Sequence, residues 1–392
     1  MLSEIKSSKS LMYYEPYHPS AYVLPEENSM RNLSMAVFPM AQTAVKAGIV
    51  TVTFQDECNG YINTLAAERM QLKNKVSREL ESNPHYRGAR NDGVKLAWKY
   101  EEADVAMGGK GSANWNRSER QEIKKTGKVH QKVVDGKKDG PEGHHQKNVA
   151  DHPEEQANPD NIKFYKDKDA HLNKGHNGDF RNETDGEMID KEKMLRRTNA
   201  KRVAANELQA AGLAAVVGFG IGFTLSFVTE LAKAGISSEK VSDAIFSSGQ
   251  YGLEMGAVSL GTYGIGRGAS YAMQRAGVDL MTKTGALVNL TAVGVLSIAV
   301  ISAYQCAKLH MHGDLNEETL SGIGRQGAFS LALLTASIAA QGIWGGPAGL
   351  IVSTSFGLLF MAKDAAALVQ ERKTEEKIRV YTIEQFKIIH GM

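Results

Sequence analysis

The pattern of apolar and polar positions changes character near residue 205. Downstream, residues 208–229, 284–307 and 326–362 contain no Asp, Glu, Lys or Arg. A bilayer crossing needs about 20 apolar residues, so each of the first two runs is of spanning length. The third is too long for one crossing and contains Trp344-Gly345-Gly346-Pro347, a turn sequence, so it reads as two helices folded into a hairpin. Asp243, Glu254, Arg267 and Arg275 interrupt residues 241–283, which read as an interfacial or re-entrant helix pair and are not counted as a span. Buried helices of a large soluble domain are the competing reading, because the runs are rich in Ala, Gly and Ser. Several uncharged runs of this length in one half-chain favour the bilayer.

Upstream the pattern is polar. Residues 28–83 carry mostly helical signals, with a charged stretch from Ala66 to Ser82 expected to form a solvent-exposed helix. Residues 364–390 read as an amphipathic helix followed by a short extended stretch, RVYTIEQF. The expected class is α+β, in five parts: a helical region 1–83, a small α+β domain 84–190, a basic linker 191–207, a transmembrane helical region 208–363 and a tail 364–392. Four spans leave both ends on one side. Arg196, Arg197, Lys201 and Arg202 before the first span, and Lys363, Arg372, Lys373 and Lys377 after the last, make that side the cytoplasm. The opening residues show no apolar run after their lysines, so no secretory signal is expected. Gly218, Gly220, Gly222, Gly256, Gly261, Gly264, Gly266 and Gly268 allow close helix approach, which predicts a homo-oligomer.

Charge and cysteine content narrow the chemistry. With 46 Lys+Arg against 44 Asp+Glu the net charge is +2, which excludes a globally polybasic coat protein but leaves room for local patches. Cys58 and Cys306 provide neither a disulfide framework nor a cysteine zinc knuckle, so any metal is held by His, Asp, Glu or Asn. Five of the eleven histidines fall within residues 140–182. His144-His145 follow a glycine turn, Asn161 lies in a Pro-Asp-Asn-Ile turn, and His171 lies in the helical-looking segment DKDAHLNK. Residues 110–140 carry a basic run in which Arg117, Arg120, Lys124, Lys125 and Lys128 are the candidate phosphate contacts. An ordinary solvated surface is the alternative for that run.

The order His-His, Asn, His, with the lead-in KGSANWNRSERQEIKKTGKV, resembles the HNH (ββα-metal) endonuclease superfamily in its His-His variant, over about residues 84–190. The resemblance implies that His145 is the general base, that Asn161 orients it through a hydrogen bond, and that His144 and His171 hold one divalent ion, with Mg2+ placed ahead of Mn2+, Ni2+ and Zn2+. His176 is a conditional third ligand. Five residues separate it from His171, which places the two about 140° apart on a regular helix, so it joins the site only if Gly175 ends the helix in a left-handed conformation. A competing registration through Asp151-His152 leaves too little chain before Asn161 for the return of the hairpin. Glu142 and Asp160 are expected as turn residues or partners of the ligands. The resemblance implies DNA cleavage, the basic run adds little sequence specificity, and the uncharged runs tether the enzyme to a bacterial inner membrane with nuclease domain and both termini cytoplasmic, a placement that suits defence against phage or other invading DNA. The alternative is a pore-like membrane effector whose soluble domain senses nucleic acid without cutting. A toxin delivered to rivals is expected to carry its nuclease last, so the order here suits a resident enzyme better.

Overall fold

A computed structural model describes residues 23–134, 137–178, 186–234, 238–345 and 347–390. The chain forms two compact units, residues 50–207 and residues 1–49 with 208–392.

The first unit takes the C-terminal part of α1 (Val23–Ser82), then α2 (Arg90–Ala106), α3 (Arg117–Thr126) and four short strands: β1 (Lys132–Val134), β2 (Lys137–Asp139), β3 (Glu142–His145) and β4 (Ile162–Tyr165). β1 pairs antiparallel with β2, and β3 with β4, in two separate two-stranded sheets. After β4, α4 (Lys168–Ala170) runs directly into a π-helical turn, His171–Gly175. Mostly helical with small sheets, the chain matches the expected α+β class.

Local sequence accounts for several of these elements. The Asn116 side chain accepts from Glu119 N, the Glu119 carboxylate returns to Asn116 N, and Gly127 at φ 80° ends α3. Under the second sheet, Trp98 packs on Phe164 with ring centroids 4.2 Å apart and on Trp115 at 5.3 Å. The loop between α2 and α3 is held by carboxylates buried on α2. Glu101 accepts from Ser112 N and Trp115 Nε1 at 2.7 and 2.8 Å, and pairs with Lys191 Nζ at 2.9 Å, both charged side chains being fully buried.

Lys191 opens α5 (Lys191–Ala234), and Leu195 one turn later is fully buried beside Cys58, Leu96 and Tyr100. Residues 191–207 are therefore a packed helix and not a linker, because the basic residues share the segment with core contacts. The 66–82 part of α1 is mostly exposed as expected, while Val76 is buried against Ala89 and Ala157.

The second unit contains the start of α1, the rest of α5, α6 (Ser238–Arg275), α7 (Lys283–His312), α8 (Glu317–Trp344) and α9 (Ala348–His390). The hairpin turn expected near Gly345 separates α8 from α9, with Gly345 at φ 72°. Two expectations are corrected. α6 is one helix and not a re-entrant pair. RVYTIEQF is helical, since residues 364–390 contain no Gly or Pro to stop α9.

This unit has an apolar core that includes Phe38, Met40, Val293 and Leu334, but it also encloses polar side chains and leaves many apolar ones exposed. On α7 the buried positions include Asn289, Ser297 and Gln305, whereas Val288, Val295 and Leu296 are exposed. On α8, Gln326, Ser330 and Ser337 are buried while Leu331, Ile343 and Trp344 are exposed. Gly218 and Gly222 face Met255 of α6, Gly256 faces Ala215 O, and Gly266 faces Val293, so these four glycines serve packing within the chain. Gly220, Gly261, Gly264 and Gly268 face open space.

Among the described residues, four helices are long and apolar enough to cross a membrane: Val37–Ser82, Lys191–Leu231, Lys283–His312 and Glu317–Trp344. Three correspond to runs read from the sequence. The fourth, in α1, is masked in the sequence because Lys46 and the charged second half of the helix dilute its apolar first half.

Candidate metal centre and its neighbouring histidine

The β3–β4 ladder sets the site. Its register places Glu142 opposite Tyr165, Gly143 opposite Phe164, His144 opposite Lys163 and His145 opposite Ile162. Because side chains alternate across a strand, Glu142 and His144 share one face and Gly143 and His145 the other. A Cβ on Gly143 would stand 3.1 Å from both Val94 and Ile162, so only glycine lets α2 and β4 close on the strand at this point. The chain then re-enters the sheet through a 3-10 turn, Pro159–Asn161, and α4 starts on Asp167, whose carboxylate caps Ala170 N at 2.6 Å.

His144, His171 and His176 converge, each offering one ring nitrogen, all within 4.8 Å of one another. His144 Nδ1 and His171 Nε2 are 3.3 Å apart. Two nitrogens at about 2.05 Å from a tetrahedral ion stand roughly 3.3 Å apart, so the pair fits a shared cation. On its far side His171 Nδ1 meets Glu142 Oε2 at 2.6 Å. A carboxylate on the outer nitrogen leaves Nε2 as the ligand atom and raises its basicity. Glu142 thus bonds the outer nitrogen of one histidine of the cluster.

His176 reaches the cluster by a different route from the one the sequence suggested. Gly175 is not left-handed; the positive φ values fall at Asn177 and Gly178. The turn His171–Gly175 is π-helical, and His176 N donates to His171 O at 3.2 Å across five residues. That wider turn brings the fifth residue back over the first, whereas an α-turn would carry it away. Gly175 matters through its size, because a Cβ there would lie 3.0 Å from the Tyr165 ring and 3.2 Å from the His144 and His171 rings.

His145, next in sequence to His144 and alternating with it across β3, is buried, and its Nε2 lies 3.1 Å from the carbonyl oxygen of Gln156. A carbonyl only accepts, so Nε2 carries the proton and Nδ1 keeps its lone pair. Burial, and then the neighbouring imidazoles of His176 and His171, push the His144 pKa down to about 3. Burial lowers that of His145 to about 4, with Arg90 adding to the effect and the Gln156 carbonyl opposing it. Both rings are neutral at physiological pH, the form in which a histidine binds metal or accepts a proton.

Asn161 is fully buried and does not bond His145. Its Oδ1 accepts from Lys147 N at 2.7 Å, and its Nδ2 donates to Lys147 O and Glu155 O at 3.1 and 3.2 Å. It ties together the two ends of the loop that follows His145, and so holds that histidine through the backbone. Asp160 bonds Arg69 at 2.9 Å and caps Lys191 N at 3.1 Å. Asp151 and His152 lie in the loop, His152 beside Glu154.

Of the basic residues named from sequence, Arg117, Lys124, Lys125 and Lys128 are exposed. Arg120 donates to Trp115 O at 2.6 Å and is half-buried, so it serves the fold at this point. Lys163, exposed and paired in register with His144, is not among the basic residues that the sequence singles out. Nor is Gln156, which lies in a Pro-rich loop with no motif to mark it. Lys163 sits two residues past Asn161 on a short strand, and the alternation of that strand is the signal that places it beside the ligands.

Residues 80–166 match the family model described as a GHH-signature-containing HNH/Endo VII superfamily nuclease toxin. No curated protein and no solved structure matches the chain.

Proposed function

We propose, from the premise that residues 80–166 carry a domain of the GHH-signature HNH/Endo VII superfamily, that this protein is a metal-dependent endonuclease acting on DNA with little sequence specificity and held at a membrane by its helical unit. The observation that carries the nuclease reading is the convergence of His144, His171 and His176 beside a neutral His145 whose Nδ1 is free to accept a proton.

A bound divalent cation would supply Lewis-acid stabilisation of the charge that grows on the leaving oxygen. His144, His171 and His176 would hold it. His145 takes the proton of the attacking water at Nδ1, while Nε2–H stays on the Gln156 carbonyl. Asn161 keeps the backbone on either side of the loop in place. Arg117, Lys124, Lys125, Lys128 and Lys163 provide exposed positive charge for phosphates and none for base readout. Three imidazoles suit zinc-class transition ions better than Mg2+, which prefers oxygen ligands, so the donor set moves the expected metal from Mg2+ to Zn2+ or Ni2+.

Plasmid nicking by the full chain tests this. The wild type nicks with divalent metal and stops with chelator. His145→Ala loses about 100-fold or more in rate with metal binding retained, while His171→Ala loses metal binding by calorimetry. Wild-type cutting by His145→Ala removes the base assignment.

The membrane reading is supported by the helices of spanning length and by the exposed large apolar side chains of α7 and α8. α1 adds a candidate span that the sequence reading does not count, and the side on which each end of the chain lies depends on whether it crosses. Protection of tags at either end from protease added outside cells reads this directly. The open glycines Gly261, Gly264 and Gly268 fit association of copies through α6. For the biological role, the family's description as a toxin favours action against another cell over resident phage defence. Growth arrest on expression of the wild type but not of His145→Ala supports the toxin reading. Phage plating reduced by the wild type, in cells that still grow normally, supports defence.

A further inference from the structure

We infer that Gln156 is a positioning residue for His145, setting which ring nitrogen carries the proton; this rests on the reading of His145 as the base. The side chain of Gln156 is fully buried and all its polar capacity is used. Its Oε1 accepts from Ala89 N at 2.9 Å, and its Nε2 donates to Tyr86 O at 3.0 Å and Pro153 O at 2.8 Å. An amide has one acceptor atom and two N–H donors, so each group is matched once and the residue has one orientation. That orientation aims the backbone carbonyl of Gln156 at His145 Nε2, 3.1 Å away.

The backbone of α2 also closes on the same carbonyl. Gly93 on α2 is buried, and a Cβ there would stand 2.6 Å from Gln156 O and 2.9 Å from Ala157 Cα. Glycine thus lets α2 back directly onto this stretch of chain. Asn161 Nδ2 holds the preceding carbonyl, Glu155 O, at 3.2 Å.

The chemical consequence follows from burial. In water the two neutral tautomers of an imidazole exchange, and either nitrogen serves as acceptor. In this buried site a ring with its proton on Nδ1 would set the Nε2 lone pair against a carbonyl oxygen held in place, leaving both acceptors unsatisfied. A rigid carbonyl therefore selects the Nε2–H form, and a loosened one does not. Gln156 acts on the base through a backbone atom, and its side chain acts only by holding that atom in place.

The experiment uses the full chain in detergent with ring-15N histidine. Long-range 15N–1H spectra assign the tautomer of His145, identified by the signal missing from His145→Gln. The wild type is expected to show the proton on Nε2. Gln156→Met keeps the volume and removes three hydrogen bonds, and Gly93→Ala presses on the same carbonyl from α2. Each is expected to give mixed tautomers for His145 and to lower kcat on plasmid by about 10- to 100-fold, with KM and metal affinity unchanged. An Nδ1–H ring in the wild type overturns the inference. So does a folded variant, with wild-type metal affinity, that retains the Nε2–H tautomer and wild-type kcat. If Gln156→Met fails to fold, Gly93→Ala and the conservative Gln156→Glu, which keeps the acceptor for Ala89 N, decide the question. A wild type that shows the expected tautomer but cuts no DNA removes the nuclease reading and leaves the role of Gln156 in selecting the tautomer standing.

Discussion

The two units of this chain differ in what they enclose beside an apolar core and in what they leave exposed. In residues 50–207 the interior is aromatic and aliphatic, with Trp115, Tyr100, Leu96 and Ile162 almost wholly enclosed, and the charges that do enter are paired, as Lys191 is with Glu101. The helical unit encloses Phe38, Met40, Val293 and Leu334, but it encloses Asn289, Ser297 and Ser337 as well, while other Leu and Val side chains of the same helices are exposed. The contrast shows that hydropathy summed over a helix is less informative than the face on which its apolar residues lie. A helix that buries Ser and exposes Leu is organised for a surrounding more apolar than its own contacts.

The comparison can be broken in four places, taken from the largest effect to the smallest. Glu101→Ala leaves the buried Lys191 ammonium unpaired and is expected to cost the nuclease unit about 3–5 kcal/mol, seen as a fall in its melting temperature; an unchanged melting temperature would mean the pair contributes nothing. Val295→Lys puts a charge on the exposed face of α7 and is expected to cost about 2.5–3.5 kcal/mol of membrane insertion, read as loss from the detergent-extracted fraction. Lys124→Glu, a charge change on the exposed face of α3, should leave that fraction unaltered and weaken DNA binding alone. Should Val295→Lys extract normally, the exposed face of α7 does not meet lipid.

Asn289→Leu removes an amide with no hydrogen-bond partner for either of its atoms and is expected to stabilise the helical unit by about 1–3 kcal/mol. Lower thermal stability of that variant in detergent would show that the amide has a partner in solution. Finally, Asn116→Ala removes the cap of α3 and is expected to lower stability by about 1 kcal/mol, measured by denaturant midpoint, with nicking retained.

Much of the site is legible in the sequence, for a physical reason. His144, His145 and Asn161 lie in short segments bounded by Gly and Pro, where turn chemistry limits what the chain can do, and Glu142 bonds His171 from the strand that carries His144. The partner of Asn161 is not legible, because the direction of a buried amide depends on the return path of a sixteen-residue connection between β3 and β4. The role of Gln156 is hidden for the same reason, being carried by its backbone. In the helical unit the spans announce themselves by absence of charge, but α1 does not, since one lysine and a long polar continuation mask its apolar first half. The extended stretch expected near the C-terminus comes from weighing β-branched residues above the lack of any helix stop.

The π-helical turn at His171–Gly175 bears on how such a site is found and how it varies. Ligands four residues apart on an ordinary α-helix face the same way, so a chain with one residue fewer here would bring its two histidines together without any unusual geometry. The wider turn absorbs the additional residue and returns His176 to the same point in space. An added residue between the two histidines is thereby accommodated with their ring centroids still 4.9 Å apart. Patterns written with a fixed ligand spacing will pass over chains that carry it, and deletion of Lys174 is the change by which the two spacings interconvert.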